Sequence, residues 1–216
     1  MTNLSLTYTY RASALKNNAP LILMLHGYGS DENDLFSFAS KLHENFCIIS
    51  VRAPYQLQPY GNAWYAINFD EEQGKWSDHE QAKRSRDCIV KFIDEVLQTY
   101  AIDKNNITLL GFSQGSILSY SIALNYPEKI RHVIALSGYV NLDLNFSNYV
   151  DNDFSNLDIY CSHGSQDQVI PVEWARRTPA ILNKLSISHV YEEYPIGHGV
   201  SPRNFSAFNK WIESKL

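Results

Sequence analysis

Short runs of consecutive apolar residues recur along this chain, each closing in a turn and leading into a longer stretch with apolar residues at helical spacing. PLILMLHG (20–27), FCIISVRAP (46–54), NITLLG (106–111), IRHVIALSG (130–138) and LDIYCSHG (157–164) have the near-continuous apolarity of strands buried on both faces. Between and after them, 30–44, 79–100, 113–127, 171–185 and 201–216 carry the spacing of helices that cover a core. Ser30 and Asp31 stand where they would cap the first of these. Pro179 is expected to kink or split the fourth, and Phe205, Phe208, Trp211 and Ile212 share one face of the last. SHVYEEYP (188–195) alternates apolar and charged residues, which suits a strand near a sheet edge. Strand and helix in alternation predict an α/β fold with a mainly parallel central sheet and helices on both faces. No repeat, linker or block large enough for a cap domain interrupts the pattern, so residues 1–216 are expected as one domain.

Composition narrows the partners. With 18 Lys and Arg against 23 Asp and Glu, the net charge of −5 provides no attraction for nucleic acid or an anionic membrane surface. The opening MTNLSLTYTYRAS lacks the basic and apolar regions of a signal peptide. No stretch approaches the roughly 18 apolar residues of a spanning helix, so no integral membrane association is expected. Cys47, Cys88 and Cys161 are odd in number and without a CxxC pair, which argues against a disulfide framework or a zinc site and favours small core residues in a reducing compartment. The expected localisation is cytoplasmic, with no metal and no cofactor. Oligomeric state is left open, a homodimer being admitted.

The chemistry begins at ITLLGFSQGSILSYSIAL (107–124). G-x-S-x-G alone is weak, since a chance match somewhere in such a chain is on the order of one in twenty. Here the motif joins a strand directly to a helix, the setting in which a serine is held exposed on a sharp turn. Neighbouring chains approach closely there, so a Cβ at position 111 or 115 would collide. Ser113 is therefore the candidate nucleophile.

Its base and the acid that orients the base should follow in the order acid, then histidine, in loops after later strands. His132 and His189 fall within strand patterns, and His163 precedes the only well-placed acid. His198, between Gly197 and Gly199 and between the last strand and helix, is the candidate base. Asp167 lies just past a strand end, whereas Asp143, Asp151 and Asp153 occupy a polar loop and Asp158 starts a strand at the wrong end of the sheet. Two N–H donors for an oxyanion are expected from Gln114, after the nucleophile, and from Tyr28 in LHGYGSDEN.

Together LHGYGSDENDLF, APY…AWY, GFSQGS, HGSQDQVIP and GHGVSP resemble the phospholipase/carboxylesterase family of α/β-hydrolases, which includes acyl-protein thioesterases and small bacterial carboxylesterases. The resemblance spans nearly the whole chain. It implies an α/β-hydrolase fold without a large cap, the triad Ser113, Asp167 and His198, the oxyanion donors Tyr28 and Gln114, and Trp64 in a loop that covers an acyl-binding groove. The family pattern is broken at Ser116, where a second glycine is usual, at Ala66, where an aspartate is usual, and at Tyr28, often leucine.

These readings converge on a serine hydrolase that cleaves carboxylic esters or thioesters through an acyl-enzyme. Its expected partner is a small-molecule or acyl-chain ester. Trp64 and Tyr65, with Tyr55, Leu57 and Tyr60, give the 55–78 segment apolar surface. They are expected to bind substrate or, equally, to pin a long loop onto the sheet. A ligand-binding protein on the same fold and a serine peptidase are the competing readings.

Overall fold

The computed structural model describes residues 4–70 and 74–216; residues 1–3 and 71–73, the latter inside the 55–78 segment, lie outside the described residues. In chain order the elements are β1 (Tyr8–Arg11), β2 (Ala19–Leu25), β3 (Cys47–Val51), the short pairs β4 (Tyr55–Gln56) with β5 (Asn62–Ala63) and β6 (Ile67–Asp70) with β7 (Gly74–Ser77), α1 (His79–Thr99), β8 (Ile102–Phe112), α2 (Gln114–Asn125), β9 (His132–Leu136), β10 (Asp158–Gly164), α3 (Val172–Ala175), α4 (Thr178–Lys184), β11 (Ser188–Tyr194) and α5 (Pro202–Glu213). The central sheet runs β1-β3-β2-β8-β9-β10-β11. Only β1 is antiparallel to its neighbour; every other pair is parallel.

Apolar residues on successive positions of one strand feed two separate cores. Leu21, Leu23 and Leu25 of β2 pack on the side of α1 and α2, with Ile89, Phe92, Ile93, Leu118 and Ile122. Ile22 and Met24 face the other side, with Phe208 and Ile212 of α5. Each such side chain contributes about 1.5–3 kcal/mol on leaving water, which is why β2, β3 and β9 are buried along their whole lengths. The edge strand β11 is only partly covered: Ser188, Val190 and Glu193 are exposed and Tyr194 alone is buried.

α1 is amphipathic and capped by Asp78, whose carboxylate accepts from the Gln81 amide at 2.9 Å. α2 is different: all twelve of its residues are buried, because it lies against the sheet directly behind the serine turn. Pro179 stands in the first turn of α4, splitting the expected 171–185 helix into α3 and α4.

Three elements depart from the sequence expectation. The 30–44 segment forms a 3-10 helix at Leu35–Lys41 rather than an α-helix with Ser30 and Asp31 at its cap. The Ser30 hydroxyl donates to Asp34 Oδ2 at 2.8 Å and Asp31 Oδ1 accepts from the Asn33 amide at 2.8 Å, local bonds that compete with helix initiation. The N-terminal stretch supplies an edge strand, β1, tied down by the Arg11 guanidinium, which donates to the carbonyls of Ala39, Leu42, His43 and Phe46. Finally, Cys47 and Cys161 are core residues, but Cys88 is exposed on α1.

That difference is measurable. Burial pushes the Cys47 thiol up to about 12 against the opposing effect of Arg11, and burial pushes Cys161 up to about 12 despite its hydrogen bond with Tyr120. A chromogenic disulfide reagent at pH 8 is expected to titrate one thiol rapidly in the native chain and all three after unfolding in urea.

Candidate active site

Ser113 joins β8 to α2 with φ 53° and ψ −116°, a left-handed backbone conformation that a serine adopts only under constraint, at about 1–3 kcal/mol. Its amide donates to Leu136 O of β9 at 2.9 Å and its carbonyl accepts from Ile117 N at 3.1 Å. The turn closes because two neighbours lack side chains. A Cβ on Gly115 would stand 2.0 Å from Leu25 O, and one on Gly111 would stand 2.5 Å from Gly115 O. The Ser113 hydroxyl does not cap its own helix, which leaves it free for another partner.

That partner is His198, whose Nε2 lies 2.9 Å from Ser113 Oγ. His198 Nδ1 lies 2.6 Å from Asp167 Oδ2, and with a carboxylate there it is Nδ1 that carries the proton. Asp167 Oδ1 accepts from the amides of Val169 at 2.8 Å and Ile170 at 3.0 Å. Burial by itself would raise the Asp167 pKa, but the His198 hydrogen bond and those two amides outweigh it and hold the carboxyl below its ordinary value. The acid is therefore a fixed anion behind a partly exposed imidazole.

The loops that carry acid and base are fastened to one another. Gln166 N donates to Ile196 O at 3.0 Å and Ser165 N to Tyr194 O at 2.7 Å. Gly164 ends β10 under the second loop, where a Cβ would meet Gly197 O at 2.2 Å. Phe112 packs against the His198 ring, with centroids 5.0 Å apart. The three candidate residues are thus delivered by the carboxyl ends of β8, β10 and β11.

The turn after β2 approaches the serine from the other side: a Cβ on Gly27 would be 3.4 Å from Ser113 Cβ. Gly29 N donates to Asn62 O and Asn62 N to Ser30 O, at 2.9 and 2.8 Å, so β5 braces this turn. Among the described residues the Tyr28 amide meets no acceptor, while the Tyr28 ring is exposed to solvent. Gln114, first in α2, has an amide with no carbonyl one helical turn back to receive it.

Trp64 and Tyr65 do not lie on the face of a groove. Both are buried, Trp64 completely, so neither ring offers surface to a substrate. The Trp64 indole N–H donates to His26 O at 2.9 Å, which satisfies the ring's one polar group inside the core. The two residues anchor the loop from beneath.

Two further contributors escaped sequence reasoning. The Gln114 side chain grips the same loop at two points: its Oε1 accepts from Trp64 N and its Nε2 donates to Tyr65 O, both at 2.8 Å. His26, fully buried at the end of β2, accepts from Ala53 N through Nε2 at 3.0 Å and donates through Nδ1 to Gly27 O at 2.7 Å. Burial lowers its pKa, the Gly27 bond notwithstanding, so it serves as a neutral brace between β3 and the turn. The only signal for either was position, next to the serine or to the strand-ending glycine. Among the described residues no cluster of His, Cys, Asp and Glu is grouped for a metal ion.

A mainly parallel sheet with a serine turn at the carboxyl end of one strand and an acid and a histidine at those of two others defines an α/β-hydrolase fold. More narrowly, the chain belongs to the phospholipase/carboxylesterase family, whose model matches residues 11–216. It is 25% identical over 222 residues to acyl-protein thioesterase 1 of Emericella nidulans, covering 93% of this chain and 92% of that one. It is 22% identical to carboxylesterase SOBER1 of Arabidopsis thaliana, over 90% of each chain. Among solved structures, the Bacillus cereus carboxylesterase superposes with a TM-score of 0.84 at 18% identity, over 100% of this chain and 97% of that one. Among the described residues no helix is long and apolar enough to cross a membrane.

Replacing Gln114 by Ala keeps the backbone amide but strands Trp64 N and Tyr65 O inside the protein. Each buried group left unpaired costs about 1–3 kcal/mol, so urea unfolding should show a loss of that order or somewhat more. A loss near zero would mean that the clamp is not a support for the loop.

Proposed function

We propose that this chain is a serine hydrolase that cleaves carboxylic esters or thioesters through an acyl-enzyme formed on Ser113. The observation that carries the reading is the unbroken chain from Ser113 Oγ through His198 to Asp167, at 2.9 and 2.6 Å, with the serine on a constrained turn. Family membership supplies the coarser statement, hydrolysis of carboxylic esters.

In acylation, Ser113 Oγ attacks the substrate carbonyl carbon while His198 Nε2 takes the hydroxyl proton. The carbonyl oxygen becomes an oxyanion between the N–H groups of Gln114 and Tyr28, aided by the positive end of α2. Asp167 keeps His198 in the Nδ1–H tautomer and offsets the imidazolium charge. Collapse of the intermediate breaks the bond to the alkoxide or thiolate, which leaves with the proton from Nε2. Water, deprotonated by the same nitrogen, then attacks the acyl-serine, and Ser113 departs with its proton restored. These steps draw on side chains and backbone alone, and one domain serves them, since all three residues issue from one sheet. A ligand-binding protein on this fold would not need its serine activated, and a peptidase would need surface to select peptide ends.

Turnover of a chromogenic short-chain ester by wild type, with a loss of roughly 10³-fold or more in Ser113→Ala, is the expected result; equal turnover by both would defeat the assignment. Labelling of Ser113 by a fluorophosphonate separates a hydrolase from a binding protein. The pH profile follows from the neutral base. Protonating His198 removes the acceptor for the serine proton, so kcat/KM should decline as pH falls. Because the Asp167 carboxyl is held low, it stays ionised across that decline, and a single protonation should describe the acidic limb.

A further inference from the structure

Asp167 is touched by a second imidazole. His163, the penultimate residue of β10, has its side chain wholly buried, as is that of Asp167. Its Nε2 lies 2.9 Å from Ile170 O and 3.3 Å from Asp167 Oδ2. Both neighbours are acceptors, so Nε2 carries the proton; its hydrogen bond goes to Ile170 O, and Asp167 Oδ2 stands beside it in electrostatic contact. The other ring nitrogen, Nδ1, is buried without a hydrogen-bond partner. In the neutral ring that atom is a bare lone pair, less costly to bury than an unpaired N–H. Oδ1 of the acid accepts from two backbone amides, while Oδ2 is hydrogen-bonded to His198 and has the N–H edge of the His163 ring 3.3 Å away.

We infer that His163 is a positioning residue for the triad, its Nε2–H directing Asp167 Oδ2 toward His198 and limiting how tightly that oxygen holds the His198 proton. The inference rests on the proposed hydrolase reading. The two amides fix Oδ1 but leave the carboxylate able to pivot about it; the positive N–H edge of His163 favours the setting in which Oδ2 faces His198. That positive edge also stabilises the charge on Oδ2, so its removal makes the oxygen a stronger partner for imidazolium. Other ionisable groups near this point are Glu193 of β11, opposite His163 in the sheet register, with Arg176 at the end of α3 bonded to it at 2.8 Å and the Tyr191 hydroxyl at 3.0 Å. Arg176 and Glu193 offset one another, which leaves Asp167 as the charge that His163 addresses.

Three substitutions separate positioning from packing. His163→Gln places an amide nitrogen the same number of bonds from Cβ as Nε2. His163→Asn places one where Nδ1 stands, beside no acceptor, and His163→Phe retains ring volume without a donor. For Asn and Phe, kcat is expected to fall roughly tenfold with KM little changed, and the acidic limb of the pH profile to move upward by a few tenths of a pH unit. His163→Gln should restore both. Wild-type kcat and acidic limb in the Phe variant would overturn the inference, as would equal losses in all three variants. Ser113→Ala in the same assay tests the hydrolase reading separately. An NMR titration of the His198 ring needs no turnover: its protonation midpoint should rise in the Phe and Asn variants and not in Gln, and an unchanged midpoint in all would overturn the inference.

Discussion

The approach of α2 to the end of β2 is the contact on which the site depends. Helix and strand come so close that Gly115 lies against Leu25 O with no room for a Cβ. Only a sharp reversal at Ser113 brings the chain from β8 into that position, and the reversal forces the positive φ. The strain is small beside what holds the helix in place. Ile117, Leu118, Ile122 and Leu124 are all buried, and at about 1.5–3 kcal/mol each their burial exceeds the roughly 1–3 kcal/mol of a strained residue. The core therefore holds the serine in a conformation that its own backbone would refuse.

From that fixed point the site is assembled by cross-ties rather than by any one element. The Gln114 side chain secures the loop holding Trp64, the Trp64 indole bonds to His26 O, and His26 braces the turn that carries Tyr28. On the opposite side, the loops after β10 and β11 are joined through Gln166 and Ile196, so the segments carrying Asp167 and His198 are tied to one another. The candidate site residues are thus supported by groups that hydrogen-bond in the dry interior, where an unpaired partner is expensive.

The parts legible from sequence were those where chemistry and period coincide. The apolar runs of β2, β3, β9 and β10 read directly as buried strands, and the serine, acid and histidine fell in the order that brings them together after β8, β10 and β11. The 30–44 segment misled because helical spacing does not reveal that Ser30 and Asp31 would spend their side chains on Asp34 and Asn33. The four residues of β1 escaped because their partial burial leaves no run or alternation to detect. Trp64 and Tyr65 were ambiguous for a plainer reason: an aromatic in a loop has the same letter whether it lines a groove or anchors the loop from below.

By itself the sequence determined the layered α/β architecture and the identity of the side chains proposed for acyl-transfer chemistry, since both follow from local periodicity and residue type. Only the tertiary structure decided which groups touch. It buried Trp64, turned the Gln114 amide onto a backbone 49 residues away from its far bond, and set His163 beside Asp167. Those outcomes depend on distances across the sheet and on which atoms lose access to water, and neither quantity is encoded in any single stretch of chain.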